Sequence, residues 1–195
     1  MFESWIGPEV FRTGVQRYLK QHAHRNATSG DFLDSLGSAS RQGVTGAFST
    51  FLEQPGVPVV TAALKCDGAP ALSLRQERSL PLGSQGSRPQ TWQIPVCARY
   101  EAGGALRREC VLFTSPAMEW KLPGFPARGA KGPEWVQANA DAAGYYRVRY
   151  EGGLLAALLA DGGKRNLDQV LEGIRLCSAR KAAQAPGVAE FLKQY

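Results

Sequence analysis

His22 and His24, in the stretch HAHRNATSGDF (residues 22–32), are the only histidines of the chain, and two imidazoles two residues apart have the makings of half a metal site. On a helix that spacing turns the rings roughly 200° away from each other, so they cannot share an ion through one face. The helical spacing that works is i, i+4, as in H-E-x-x-H, and the sequence contains no such motif. Both histidines follow the apolar stripe of a first helix. They are therefore expected in its C-terminal turn, where an imidazole suits the negative end of the helix dipole.

The other reactive residue types form no recognisable constellation either. Cys66, Cys97, Cys110 and Cys177 include no C-x-x-C pair, which excludes a zinc ribbon or a thioredoxin-type motif on spacing. GSQGS (83–87) has the wrong order for a G-x-S-x-G nucleophile elbow. Neither a G-x-x-x-x-G-K-[ST] loop nor a G-x-G-x-x-G fingerprint is present. Asn26-Ala27-Thr28 fits a glycosylation sequon, which matters only in a secretory pathway. Glu134 and Asp141 are expected in surface or turn positions rather than in acid–base chemistry. Arg147 and Arg149 alternate with Tyr146, Val148 and Tyr150, as on a strand with one wet face. Trp92, Trp120 and Trp135 are expected to pack in the core or between sheets. No catalytic, cofactor-binding or metal-binding residue is assigned.

Three segments of different period must position these residues. Over 8–54 the apolar residues recur at helical spacing: Val10, Phe11, Val15, Tyr18 and Leu19 after Pro8, then Phe32, Leu33 and Leu36 after the start signal Thr28/Asp31, then Val44 to Leu52. From Val57 to about Tyr150 the period becomes two, and VPVVTAALKCD, ALSLRQERSL, TWQIPVCARYE, RRECVLFT and GYYRVRYE read as strands of an antiparallel sandwich. With Gly103-Gly104 as a hairpin turn, paired positions sum to 207. That register sets Val96 opposite Val111, Ile94 opposite Phe113 and Cys97 opposite Cys110. In an oxidising compartment the two cysteines could bridge; two reduced thiols is the default expectation. After Gly152-Gly153 the helical period returns, first in LLAALLADGG and then in a segment that Asn166 caps, with Leu167, Val170, Leu171 and Ile174 on one side.

Bulk properties narrow the classes. The chain has 195 residues, 44% hydrophobic and 21% charged, which is ordinary for a globular protein and not for a disordered one. Its net charge is +6, but the 23 basic residues are scattered and make no nucleic-acid stripe. No apolar run approaches the ~18 residues of a membrane span. The start, MFESWIGPEV, lacks the regions of a signal peptide and leads almost at once into a helix, as though in mid-domain.

The run MFESWIGPEVFRTGVQRYLKQHAHRNATSGDFLDSL, followed by FLEQPGVPVV, resembles the aminopeptidase N family of zinc metallopeptidases. WQIPV (92–96) and NADAAGYYRVRY (139–150) resemble strands of the β-sandwich domain of that family, and RNLDQVLEGIRLCSARKAAQAPGVAEFLKQY (165–195) resembles its final helices. The resemblance implies an α+β fold: 1–55 as C-terminal helices of a thermolysin-like peptidase domain, 56–153 as the sandwich, and 154–195 as a remnant of the C-terminal helical domain. It also implies an internal deletion near Asp161 to Lys164. Family members hold zinc with the two His of H-E-x-x-H and a further Glu, and none of these maps onto a residue here. The resemblance thus implies zinc and a peptide substrate for the full-length enzyme, and inactivity for this chain alone. Its partners would be a missing N-terminal half, a protein bound by the sandwich, or a second copy of the chain. Neither nucleic acid nor a membrane span is expected, and the protein is read as soluble, in cytoplasm or periplasm.

Overall fold

The computed structural model describes residues 1–80, 84, 89–125 and 132–162. Four helices come first: α1 (Phe2–Ile6), α2 (Pro8–Gln21), α3 (Ser29–Ser40) and α4 (Val44–Glu53). Pro8 opens α2, where its missing N–H has no helical partner to lose. Thr28 and Asp31 form a complete capping box on α3: the Asp31 amide donates to Thr28 Oγ1 (3.2 Å) and the Thr28 amide donates to Asp31 Oδ2 (2.8 Å). The second and third helices pack closely at Gly14. A Cβ there would meet Leu36 Cδ2 at 2.7 Å and Leu36 Cα at 3.2 Å, so only glycine fits at this approach. Phe2, Ile6, Leu36, Val44 and Ala47 make the core of this layer.

Seven strands follow among the described residues: β1 (Pro58–Lys65), β2 (Ala71–Arg78), β3 (Ile94–Ala102), β4 (Ala105–Phe113), β5 (Ala117–Lys121), β6 (Val136–Gln137) and β7 (Arg147–Tyr150). They form two sheets, ordered β5-β2-β1-β7 and β4-β3-β6. Their facing sides share one apolar core, with Val60 and Leu74 from the first sheet and Ile94, Val96 and Phe113 from the second. The β3–β4 hairpin has the register that the sequence implies, Ile94 opposite Phe113 and Val96 opposite Val111. A last helix, α5 (Leu154–Gly162), adds Leu154 to the sandwich core.

Three observations depart from the sequence reading. The two outer strands of the segment, β1 and β7, run parallel, with Val59 beside Arg147, so the sandwich is antiparallel except for this pair. The short strands β5 and β6 were not legible as separate strands, since two to five residues carry little periodicity. Cys97 and Cys110, expected as two reduced thiols, are joined in a disulfide. The register sets them directly opposite on one face, which is what makes the bond possible. The helices expected over 165–195, with the cap at Asn166, lie outside the described residues, as do 163–164 and all of GSQGS but Ser84.

The helical layer rests on the outer face of the β4-β3-β6 sheet. Arg108 donates to the Ser4 carbonyl of α1 (3.2 Å), and Leu112 packs into the helical core. At the other end, Gln54 Nε2 donates to the Thr91 carbonyl (3.0 Å) and the Gln93 amide donates to Thr50 Oγ1 (3.1 Å). Met1 and Phe51 touch both cores.

Candidate functional site

His22 caps the C-terminus of α2, its amide donating to the Tyr18 carbonyl at 3.0 Å. Its ring lies 5.2 Å from that of Tyr18, and its Nε2 is 4.0 Å from Asp31 Oδ1. His24 is exposed, in left-handed backbone at φ 61°, within the turn that leads to Asn26. The two histidines thus do different things. Asp31 is itself committed to the capping box, and the Thr28 hydroxyl and amide hold its carboxyl below the usual carboxylate range.

The motif NADAAGYYRVRY closes on itself around Ala138. The Tyr146 hydroxyl donates to the Ala138 carbonyl (2.9 Å), and the Ala138 amide donates to the Tyr150 hydroxyl (3.0 Å). Asn139 completes the loop: its Oδ1 accepts from the Gly144 amide (2.8 Å), and its Nδ2 donates to the carbonyls of Gly144 and Tyr146 (3.2 and 3.3 Å). A side chain at position 144 would run into the Tyr146 ring, so glycine is required there. Burial pushes both phenols well above the ordinary tyrosine range. They are therefore neutral hydrogen-bonding posts.

Asp141, at φ 59°, reaches across to the hairpin. Its Oδ1 accepts from Arg99 (2.7 Å), and its Oδ2 lies 3.6 Å from Arg108 Nε. The β5-β2-β1-β7 sheet carries an outer ladder of ion pairs, Arg149–Glu77 (2.6 Å), Arg75–Glu151 (2.7 Å) and Lys65–Glu119. Arg147 and Arg149 are exposed and Val148 is buried, so β7 has the wet and dry faces read from its alternation. Trp92 and Trp135 are buried and Trp120 packs against the sandwich core, as expected of packing tryptophans. Glu134 is exposed.

One buried polar residue carried no sequence signal. Gln76, on the inner face of β2, accepts from the Trp92 amide (2.8 Å) and donates to the carbonyls of Trp92 (3.0 Å) and Ser115 (2.9 Å). It joins one sheet to the segment that enters the other. Nothing in QER marks it, because its partners lie 16 and 39 residues away.

A hydrolytic zinc site takes three protein ligands. Among the described residues no group of three or more His, Cys, Asp or Glu side chains is placed to hold a metal ion. His22 Nε2 lies 4.0 Å from Asp31 Oδ1, and that carboxylate already accepts from the Thr28 amide and hydroxyl. The described residues do not fit zinc.

Residues 1–51, the helical layer, match the Peptidase family M1 domain. The chain is also similar to Aminopeptidase M1 of Arabidopsis thaliana, 34% identical over 169 residues, which are 81% of this chain and 18% of the relative. It is 28% identical over 193 residues to the puromycin-sensitive aminopeptidase of Caenorhabditis elegans, covering 97% of this chain and 20% of that protein. Aminopeptidase N of Lactococcus lactis is 27% identical over 170 residues, 87% and 18% of the two chains. Similarity to the M1 aminopeptidases therefore runs through both the helices and the sandwich. The chain belongs to the aminopeptidase N family. It spans only 15% to 20% of the length of the curated relatives it matches. The 193-residue alignment crosses Asp161–Lys164 with no gap of hundreds of residues, and so lends no support to the deletion expected there. No helix among the described residues is long and apolar enough to cross a membrane.

Proposed function

We propose that this chain is the non-catalytic C-terminal portion of a zinc-dependent aminopeptidase, an enzyme that removes N-terminal residues from peptides by hydrolysis. The observation that carries the reading is continuity: the similarity to aminopeptidases runs through the helical layer and on through the sandwich. In this reading 1–55 are closing helices of the peptidase domain, 56–153 the sandwich domain, and 154–195 part of a helical domain. The separate apolar cores of helices and sandwich support the first boundary. In this reading zinc, its ligands and the general base belong to another part of such an enzyme.

The test is metal content together with hydrolysis of an aminoacyl-anilide by the purified chain. The expected result is no bound zinc and no turnover, and stoichiometric zinc with turnover would sink the reading. A second reading, complementation of an N-terminal half in trans, is favoured by apolar side chains that the helical layer exposes, Leu19 and Leu52, and by Tyr145 beside Phe51. Co-expression with a zinc-bearing half restores turnover if it holds. A stable monomer that ignores the added half removes it.

A further inference from the structure

The Cys97–Cys110 disulfide lies on the sheet face that carries the helices. Along β4 its neighbours on that face are Leu112, packed into the helical core, and Arg108, bonded to the Ser4 carbonyl of α1. Across the hairpin, Arg99 and Arg108 are directly opposed and share Asp141. The bond therefore sits between the two contacts by which β4 holds the helical layer. We propose that it is a redox-sensitive latch on this seam: oxidised, it keeps the face in the shape that α1 fits, and reduced, it loosens α1.

Three observations support the latch over a plain staple. The hairpin is held by a nine-pair register and a two-residue turn, so closing it needs no covalent help. What the bond changes is local, because two bonded sulfurs sit far closer than two thiols can. On reduction the sulfurs must part, between Arg108 and Leu112 on the face that carries α1. The second observation is access. Cys97 is 6% exposed and Cys110 is half-buried, with Arg108 Nη1 3.8 Å from Cys110 Sγ. A guanidinium there favours the approach of an attacking thiolate. The third is reversibility. The register holds the two Cα atoms 4.0 Å apart, so the reduced thiols stay within reach of each other.

The chemistry is thiol–disulfide exchange with a dithiol. A thiolate of the dithiol attacks Cys110 Sγ, the S–S bond breaks, and Cys97 leaves as a thiolate that takes up a proton. The second thiol of the dithiol then resolves the mixed disulfide. The cysteine pair gains two electrons and two protons, and the dithiol becomes a disulfide.

Hydrogen exchange of the whole chain, with and without dithiothreitol in native buffer, tests the proposal, with alkylation and peptide mapping to read Cys97 and Cys110. The pair should reduce without denaturant, and amides of α1 and the first turn of α2 should then exchange on the order of tenfold faster, while β1 and β2 stay unchanged. Reduction only after unfolding, or reduction with no change in α1, would overturn the latch. Cys97→Ser/Cys110→Ser should exchange like the reduced protein with no reductant; exchange like the oxidised protein counts against the idea. Should that variant not fold, Arg108→Gln serves: α1 should exchange fast in its oxidised form and gain little more on reduction. A full redox response in Arg108→Gln would refute coupling through Arg108.

Discussion

The start of α3 and the start of β7 are both fixed by side-chain hydrogen bonds, over very different spans of chain. At α3, Thr28 and Asp31 satisfy each other three residues apart. At β7, Tyr146 and Tyr150 reach back to Ala138 and Asn139 folds the loop between them, while Val148 finds its neighbour Val60 on a strand formed much earlier. The helical layer is wired locally and the sandwich at long range. Local wiring can be cut piecemeal, whereas long-range wiring fails as a unit.

The largest test of that contrast is Trp92→Ala. Trp92 is fully buried in the sandwich core, and its loss should cost about 3–5 kcal/mol in denaturant melts. Fluorescence and circular dichroism should lose both regions together, since Met1 and Phe51 pack against both cores. A helical signal that outlasts the sandwich would break the picture. Next comes Tyr146→Phe, which leaves the buried Ala138 carbonyl without its donor at a cost of about 1–3 kcal/mol. Exchange of the Gly144 amide, bonded to Asn139 in the same loop, should rise with it.

Smaller again is Thr28→Ala, at about 1 kcal/mol, with its effect confined to the first turn of α3. The smallest effect is acid titration. Asp31 has its folded value below its ordinary 3.8, so its contribution is complete above that value and is lost as pH falls through the lower folded one. An NMR titration should place the Asp31 midpoint below 3.8 in the parent and nearer to it in Thr28→Ala. Equal midpoints in the two proteins would remove the capping box as the cause. At the alkaline end the sandwich shows the opposite sign. Burial raises Tyr100 to about 12, so its contribution is complete below 10 and is lost as pH climbs towards that value.

The same contrast decides what could be read from the sequence. Pro8, Thr28/Asp31 and Gln54 before Pro55 are signals complete within a few residues, and the helices begin and end on them. The hairpin was equally legible, because Gly103-Gly104 fixes a register that the alternation must obey. The parallel placing of β7 on β1 was not, since nothing near Arg147 names its partner. Gln76, Ser4 and the pairing of Asp141 with Arg99 escaped for the same reason: each serves a group far away in sequence. The disulfide was half legible. Its geometry followed from the register, and its chemistry depends on surroundings that the sequence does not encode.

The parallel pairing of β1 with β7 has a consequence for how the protein is made. β1 can find β2 soon after both are synthesised, but its other edge stays open until Val148 arrives beside Val60. Until then the inner faces of both sheets, Leu72, Leu74 and Ile94 among them, have no finished enclosure. On the ribosome the sandwich is a nascent chain waiting for its final strand, with a long-range closure that is slow by nature. A pause in translation just before Arg147 would expose more apolar surface than a pause anywhere in the helices, and chaperone demand should peak there.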